Sequence, residues 1–355
     1  MISFFTVLGL VFSSTVFVLI VINAKRESFS KYSKLHVSAK QSSHYKPTPR
    51  VGGLAIATGI LSGALLSGHD IFALILWTTL PIFLIGLFED LGPDTAPTIR
   101  LSVAALSAIL AILVLNTFVD RVGVQVIDSI LSITVFGVAF TIFASTGMTH
   151  AMNLIDGLHG LSSAVVISIM ASFGLVAYTF GHEDLLMLNS VVCVAFLGFL
   201  LLNFPHGKIF LGDAGAYSIG HIIAWNAILL AEREPNISPW AILLILLWPV
   251  FDTLFAMIRR FSTGKPISKP DRLHFHHMLM RLIRVSAPTK ITIEKSNPIG
   301  SLATWPFLVT PCILGFVFID SPKYALLSIG LLCTFYVVSY RFLVFRAFRI
   351  RHLFT

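Results

Sequence analysis

The stretch IFALILWTTLPIFLIGLFEDLGPD, residues 71–94, decides the fold. From Ile71 to Phe88 no side chain carries a charge, and then Glu89 and Asp90 follow each other directly. The run is too long and continuous for a barrel strand, which alternates over roughly ten residues. It approaches the roughly 20 residues that a helix needs to cross the hydrocarbon. It reads as a membrane helix that delivers two adjacent carboxylates to one surface. Such a pair suits a hard cation, whose ligands are carboxylate and water oxygens; the plainer reading is a charged helix end facing water.

The rest of the chain repeats the pattern. Of its 355 residues 56% are apolar and only 12% charged, against roughly 25% charged in an ordinary soluble domain. A dry surround excludes an open α/β enzyme and leaves a helical bundle or a closed barrel. Apolar runs at 2–23, 51–69, 71–88, 98–118, 130–149, 160–180, 186–203, 213–231, 239–258, 299–319 and 324–344 favour the bundle. The expectation is an all-α, polytopic integral membrane bundle of about 11 transmembrane helices. It is one membrane-embedded domain over 1–355, with 24–50 and 259–298 as the principal polar loops. The run at 2–23 lacks the basic residues that precede a signal peptide's apolar core, so it reads as a retained first helix. Cys193, Cys312 and Cys333 lie far apart in apolar runs and form no CxxC pair, which speaks against a disulfide scaffold or structural zinc.

Charge orients the bundle. The chain holds 25 Lys and Arg against 17 Asp and Glu, a net +8. With the N-terminus outside, alternation of the spans puts only Arg121, Arg233 and Lys323 on the outer face. The other 22 of the 25 basic residues fall inside, as the positive-inside rule requires of cytoplasmic loops. The C-terminus is then cytoplasmic. The excess of positive charge is a topology signal, and no nucleic-acid partner is implied.

Acidic residues collect at the inner span ends: Glu89, Asp90, Asp94, Asp156, Asp213, Asp252 and Asp271. Ionisable groups at such depth are costly unless paired, hydrated or metal-bound, and so suggest function. In MNLIDGLHGL, 152–161, Asn153 and Asp156 are three apart and can share a helical face. In FLGDAGAYSIG, 210–220, Asp213 stands at the start of an apolar run among small residues, fit either to cap a helix or to bind metal. In the loop at 259–279, His274, His276 and His277 gather beside Asp271 and Arg272. Histidine can donate to phosphate or exchange protons, and Arg272 can grip phosphate with a planar fork. The HxHH spacing differs from the usual zinc patterns. The loop could also be a plain cationic patch at the membrane surface that attracts lipid head groups. Together the clusters suit a site that holds a soluble phosphate ester and a lipid phosphate at the inner membrane face. A transporter of a phosphorylated metabolite and a non-catalytic lipid-binding scaffold are the alternatives.

Five segments in order, KPTPRVGG (46–53), GLFEDLG (86–92), NLIDGLHGL (153–161), FLGDAGA (210–216) and PDRLHFHH (270–277), resemble the polyprenyl-phosphate N-acetylhexosamine-1-phosphate transferases. This is the membrane family that holds the initiators of O-antigen and teichoic-acid synthesis and phospho-N-acetylmuramoyl-pentapeptide translocase. The resemblance implies transfer of a sugar 1-phosphate from a UDP-N-acetylhexosamine to undecaprenyl phosphate, with release of UMP and a need for Mg²⁺ or Mn²⁺. It implies that Asp213 is a metal ligand, and that Asp90 activates or positions the lipid phosphate, with Asp90 a second candidate for the metal. Glu89 takes the first place of the usual adjacent Asp pair. Asn153 and Asp156 resemble the polar pair that places nucleotide or phosphate, Asp156 counted with the catalytic set. Lys46 and Arg50 resemble basic residues near the phosphates. Arg272, His274, His276 and His277 resemble the loop that recognises the donor diphosphate.

Two departures stand out. Glu89 lengthens a carboxylate arm by one methylene, and His159 replaces the acidic residue or Asn of the family's pattern, where it could contact nucleotide phosphate. The HFHH loop looks more like the N-acetylhexosamine enzymes than the muramoyl-pentapeptide ones. The resemblance points to initiation of a surface polysaccharide or O-antigen in a bacterial cytoplasmic (inner) membrane, with the active site facing the cytoplasm. Membrane lipids, a second copy of the chain (a homodimer) or a downstream glycosyltransferase are the other partners it suggests.

Overall fold

A computed structural model describes residues 3–26, 29, 48–92, 95–265, 271, 273–286 and 291–352. All regular structure among them is helical: α1 (Phe4–Ala24), α2 (Gly52–Ser67), α3 (Asp70–Asp90), α4 (Pro97–Leu115), α5 (Gln125–Leu131), α6 (Thr134–Ile155) and α7 (Leu161–Thr179). There follow α8 (Glu183–Asn203), α9 (Gly212–Arg233), α10 (Pro239–Ile245), α11 (Leu247–Ser262), α12 (Phe275–Ser286), α13 (Ile293–Val317) and α14 (Pro322–His352). Among the described residues nine helices are long and apolar enough to cross a membrane, or ten if the bent pair α10–α11 counts as one. The chain is thus an all-α polytopic membrane protein. Each apolar run in the sequence has its helix, with ends shifted by a few residues.

Three local features depart from simple rods. α2 has 16 residues, about 24 Å at 1.5 Å per residue, shorter than the hydrocarbon thickness. The run at 239–258 breaks at Leu246 into α10 and α11, bent by 78°. Pro249 accounts for the bend, because it has no N–H to give the Ile245 carbonyl and its ring crowds that turn. The Cys312 thiol donates to the carbonyl so released, at 3.5 Å. The third is the polar segment 259–298, whose described part is no plain loop, since α12 and the first turn of α13 lie within it.

The bundle is built around α9. Of its apolar window 89% is buried, against 22% for α4 and for α14, so α9 is the axis of the bundle while α4 and α14 lie at its rim. α3, α6 and α2 pack directly on it. Membrane helices gain no hydrophobic drive from one another, so close packing of small residues must hold them. A Cβ on Gly53 of α2 would overlap the backbone of Gly215, and one on Gly86 of α3 would overlap the backbone of Ala214. Gly53→Ala should therefore cost about 1–3 kcal/mol by overpacking, read as a lower thermal unfolding midpoint in detergent; an unchanged midpoint would refute the contact.

Candidate active site

The first turn of α9 gathers the ends of its neighbours. It has no capping side chain of its own, since Leu211 precedes it, and the first amides of a helix are unpaired donors. Asp90, the last residue of α3, supplies the acceptors. The Asp213 N–H donates to its Oδ1 at 2.8 Å and the Ala214 N–H to its Oδ2 at 2.9 Å. Gly212 has φ +79°, and a Cβ there would strike the Arg50 carbonyl and the Asp90 carboxylate. Only glycine suits both the angle and the space.

The segment before α2 lies alongside the segment before α9. Phe210 N–H donates to the Pro49 carbonyl at 2.9 Å, Gly52 N–H to the Phe210 carbonyl at 2.9 Å, and Gly53 N–H to the Leu211 carbonyl at 2.7 Å. This pairing aims Arg50 across the helix start, where its Nη2 donates to Asp213 Oδ1 at 3.2 Å. Asp213, Asp90 and Asp156 together raise the Arg50 pKa above its ordinary range, Asp213 most, against the opposing effect of burial. The second oxygen of Asp213 accepts no hydrogen bond from the described residues.

Asp156 caps the end of α6 at the same place. It accepts from Ser162 Oγ at 3.0 Å and from the Gly212 N–H. Burial pushes its carboxyl up to about 6, against the pull of Arg50. Asn153 stands half-buried one turn earlier, and its carbonyl accepts the Asp156 N–H at 3.4 Å. Over this turn lie two imidazoles of α12: a Cβ on Gly157 would come within 3.0 Å of His277 and 3.2 Å of His276. Four of the five segments therefore meet at Arg50, Asp90, Asp156 and Asp213, with the fifth laid across them as His276 and His277.

Other expected site residues turn elsewhere. Glu89 accepts from the Thr95 hydroxyl and backbone N–H and pairs with Arg100 at 3.5 Å, and Arg100 also donates to the Tyr217 hydroxyl at 3.4 Å. The Oε2 of Glu89 is buried without a hydrogen bond. His159 is buried. Its Nδ1 donates to the Pro205 carbonyl at 2.7 Å, and its N–H donates to Asn297 Oδ1 at 2.8 Å. That imidazole ties the 156–160 turn to the segment after α8, and burial lowers its pKa. His274 points toward α11 and Asp252, where its Nδ1 donates at 2.7 Å. Lys46 and Arg272 lie outside the described residues.

Several residues that hold the site carried no role in the sequence reading. Asn203, buried at the end of α8, accepts the Gly160 N–H at 2.6 Å and donates to the Ile209 carbonyl at 2.8 Å, so it joins the two site turns. Asn297 and Ser162 support the same turn. Their signal was a buried-type polar residue at the end of an apolar run, which does not reveal its partner. Asp252 did stand among the inner acids, without a partner to give it a task.

The carboxylates fit a magnesium ion. Among the described residues no three His, Cys, Asp or Glu side chains form a cage by themselves. Mg²⁺ rarely uses one, and is held instead by one or two carboxylates, water and substrate phosphates. The unengaged Asp213 oxygen offers such a ligand.

The chain is similar to several known proteins. The model of Glycosyl transferase family 4 matches residues 72–231. The chain is 34% identical over 246 residues to a probable undecaprenyl-phosphate N-acetylglucosaminyl 1-phosphate transferase of Bacillus subtilis, covering 67% of either chain. It is 31% identical over 278 residues to the decaprenyl-phosphate N-acetylglucosaminephosphotransferase of Mycolicibacterium smegmatis, covering 67% of this chain and 66% of that one. It is 28% identical over 300 residues to the undecaprenyl-phosphate alpha-N-acetylglucosaminyl 1-phosphate transferase of Haemophilus influenzae, covering 79% of this chain and 84% of that one.

Proposed function

The chain belongs to glycosyl transferase family 4, and on that footing we propose that it transfers an N-acetylhexosamine 1-phosphate from a UDP-sugar to undecaprenyl phosphate, releasing UMP. The observation that carries the reading is the meeting of Arg50, Asp90, Asp156 and Asp213 at the start of α9. Carboxylates alone would repel a diphosphate. Arg50 supplies the opposite charge, and with the imidazoles of α12 the donors, that such a ligand needs.

Asp213, with its free oxygen, is the residue that would hold Mg²⁺ (or Mn²⁺), together with the substrate phosphates. The ion, when bound, would neutralise phosphate charge and align the reacting oxygens. Asp90 keeps the α9 amides and hence Asp213 in place. An ordinary lipid phosphate is already anionic near neutral pH, so the acceptor oxygen needs positioning more than deprotonation. Arg50 would draw phosphate to the same side as Asp213, while Asn153 and Asp156 border the nucleotide. The acceptor oxygen attacks the sugar-linked phosphorus, and the bond to the UMP oxygen breaks.

We further assign eleven crossings, with α2 counted as a short one, the N-terminus outside, the C-terminus inside and the site facing the cytoplasm of a bacterial inner membrane. The 22 to 3 division of basic residues supports this. Initiation of a surface polysaccharide such as an O-antigen is the role that fits the donor class.

The test is direct. Purified protein receives undecaprenyl phosphate, Mg²⁺ and a panel of UDP-N-acetylhexosamines, and UMP and lipid-linked product are measured. Stoichiometric UMP and product are expected with at least one donor. Folded protein that moves a phosphorylated metabolite across a vesicle without making UMP would turn the assignment to a transporter. The pH profile adds a second check. Ionised Asp156 accepts more strongly than the neutral acid and attracts Arg50, and its carboxyl is held at about 6. Turnover should therefore fall as the pH drops through about 6, and Asp156→Asn should remove that acid limb.

A further inference from the structure

Behind the histidines of α12 lies a buried assembly with no part in the reaction described so far. Asp252 of α11 is 1% exposed and sits just past the bend at Leu246. Its Oδ2 accepts His274 Nδ1 at 2.7 Å, and its Oδ1 accepts the Phe275 N–H at 3.3 Å and the hydroxyl of Tyr336 from α14. A carboxylate so far from water needs a cation, because an unpaired buried charge is far costlier than a paired one. Arg259 does not serve. Its Nη1 donates to the Leu273 carbonyl and to Tyr340, and its Nη2 to Asp271. His274 is the partner that remains.

His274 then has one donor left. With Nδ1–H committed to Asp252, no described residue bonds to Nε2. The ring stacks nearly parallel to His276, with centroids 5.8 Å apart and planes at 17°. His276 is itself fully buried, with neither ring nitrogen hydrogen-bonded, and it lies against Gly157 of the carboxylate site. The charged and titratable groups around His274 are Asp252, Asp271, Arg259, His276 and His277, with the Tyr336 and Tyr340 hydroxyls behind Asp252. Burial opposes a charge on His274, yet Asp252 outweighs it and raises the pKa. Burial and His277 push His276 well below its ordinary value. The two shifts run in opposite directions, so His274 holds a proton more readily than its neighbour.

We propose that Asp252, locked by Tyr336, is a positioning residue that holds His274 as an oriented imidazolium, whose Nε2–H is kept for the anionic diphosphate of the sugar donor. The assignment rests on the donor reading of the site given above. It makes α14, at the far end of the chain, part of donor recognition, and it predicts a role in binding the donor and none in binding the lipid acceptor.

The experiment measures equilibrium binding of UDP-N-acetylglucosamine to the full-length protein in detergent with Mg²⁺ between pH 5.5 and 8.5, alongside turnover. Asp252→Asn should weaken donor binding by about tenfold or more, the worth of one charge-assisted hydrogen bond. The donor KM should rise in step, while the acceptor KM stays within about twofold. In the wild type, binding should weaken as the pH rises and His274 loses its proton. In Asp252→Asn that loss should move to lower pH, because the anion that raises the pKa is gone. Asp252→Glu should recover part of the affinity, and Tyr336→Phe, which keeps the ring and its packing, should give a smaller loss of the same kind. Equal changes in both KM values, or an unmoved pH profile in variants that unfold at the wild-type temperature, would overturn the proposal. A wild type that binds the donor but makes no UMP would defeat the reaction assignment and leave this one standing. A wild type that binds no UDP-sugar at any pH would defeat both.

Discussion

Asp213→Ala should lower turnover by about 10³-fold or more, the scale expected when a group that holds charge at the reacting phosphate is removed. Asp213 and Glu89 each leave one oxygen without a hydrogen bond from the described residues, and of the two it is Asp213 that lies beside Arg50 at the start of α9. Asp90 spends both oxygens on backbone amides, Asp156 accepts from Ser162 and Gly212, and Glu89 is turned to Thr95 and Arg100. Asp213 gives one oxygen to Arg50 and keeps the other. The loss should be accompanied by little change in folding, since the helix start is held by its backbone N–H and not by its side chain. Asp213→Asn should keep the shape and still need far more Mg²⁺ to reach half its residual rate. UMP release against Mg²⁺ concentration measures this, and wild-type turnover with wild-type Mg²⁺ dependence in Asp213→Ala would sink the ligand role.

Asp90→Ala should damage folding as well as chemistry. It strands two buried donors, the N–H groups of Asp213 and Ala214, at about 1–3 kcal/mol each, so a loss on the order of 2–6 kcal/mol is expected. Asp90→Asn keeps one carbonyl acceptor and should lose about half as much. Thermal unfolding in detergent, read beside turnover, separates the two roles of this carboxylate. If it only moved a proton, both variants would be inactive and equally stable. If it caps α9, their stabilities must differ in the order wild type, Asn, Ala.

The sequence revealed the fold wherever free energy depends on one segment alone. An uncharged run of membrane length is a helix whatever surrounds it, and every apolar run but 239–258, which is broken in two, became one helix. The bend at Leu246 needed the position of Pro249 within its helix to be weighed, and a hydropathy reading averages over it. Asp90, Asp156 and Asp213 were readable as candidates because charge is scarce in this chain. That Asp90 caps α9 was not, since a cap usually lies in the same helix and this one arrives from a residue 123 positions earlier. His159 had a residue type suited to phosphate, yet its partner is the Pro205 carbonyl. Asn203 and Tyr336 act through partners remote in sequence, and nothing local in their segments foretells them.

The same partners fix an order of assembly. Asp90 is already synthesised when Gly212 emerges, so the amides of α9 find their acceptors as that helix enters the bundle. The histidine segment is different, because Asp252 waits for Tyr336 and Arg259 for Tyr340, both on α14, 84 and 81 residues later in the chain. The carboxylate centre can form before α14 is made, whereas the surroundings of His274 are complete only once α14 has joined the bundle. A chain truncated after Asp320 should consequently keep its capped α9 and lose its grip on the nucleotide, a difference that limited proteolysis beside a binding assay would register.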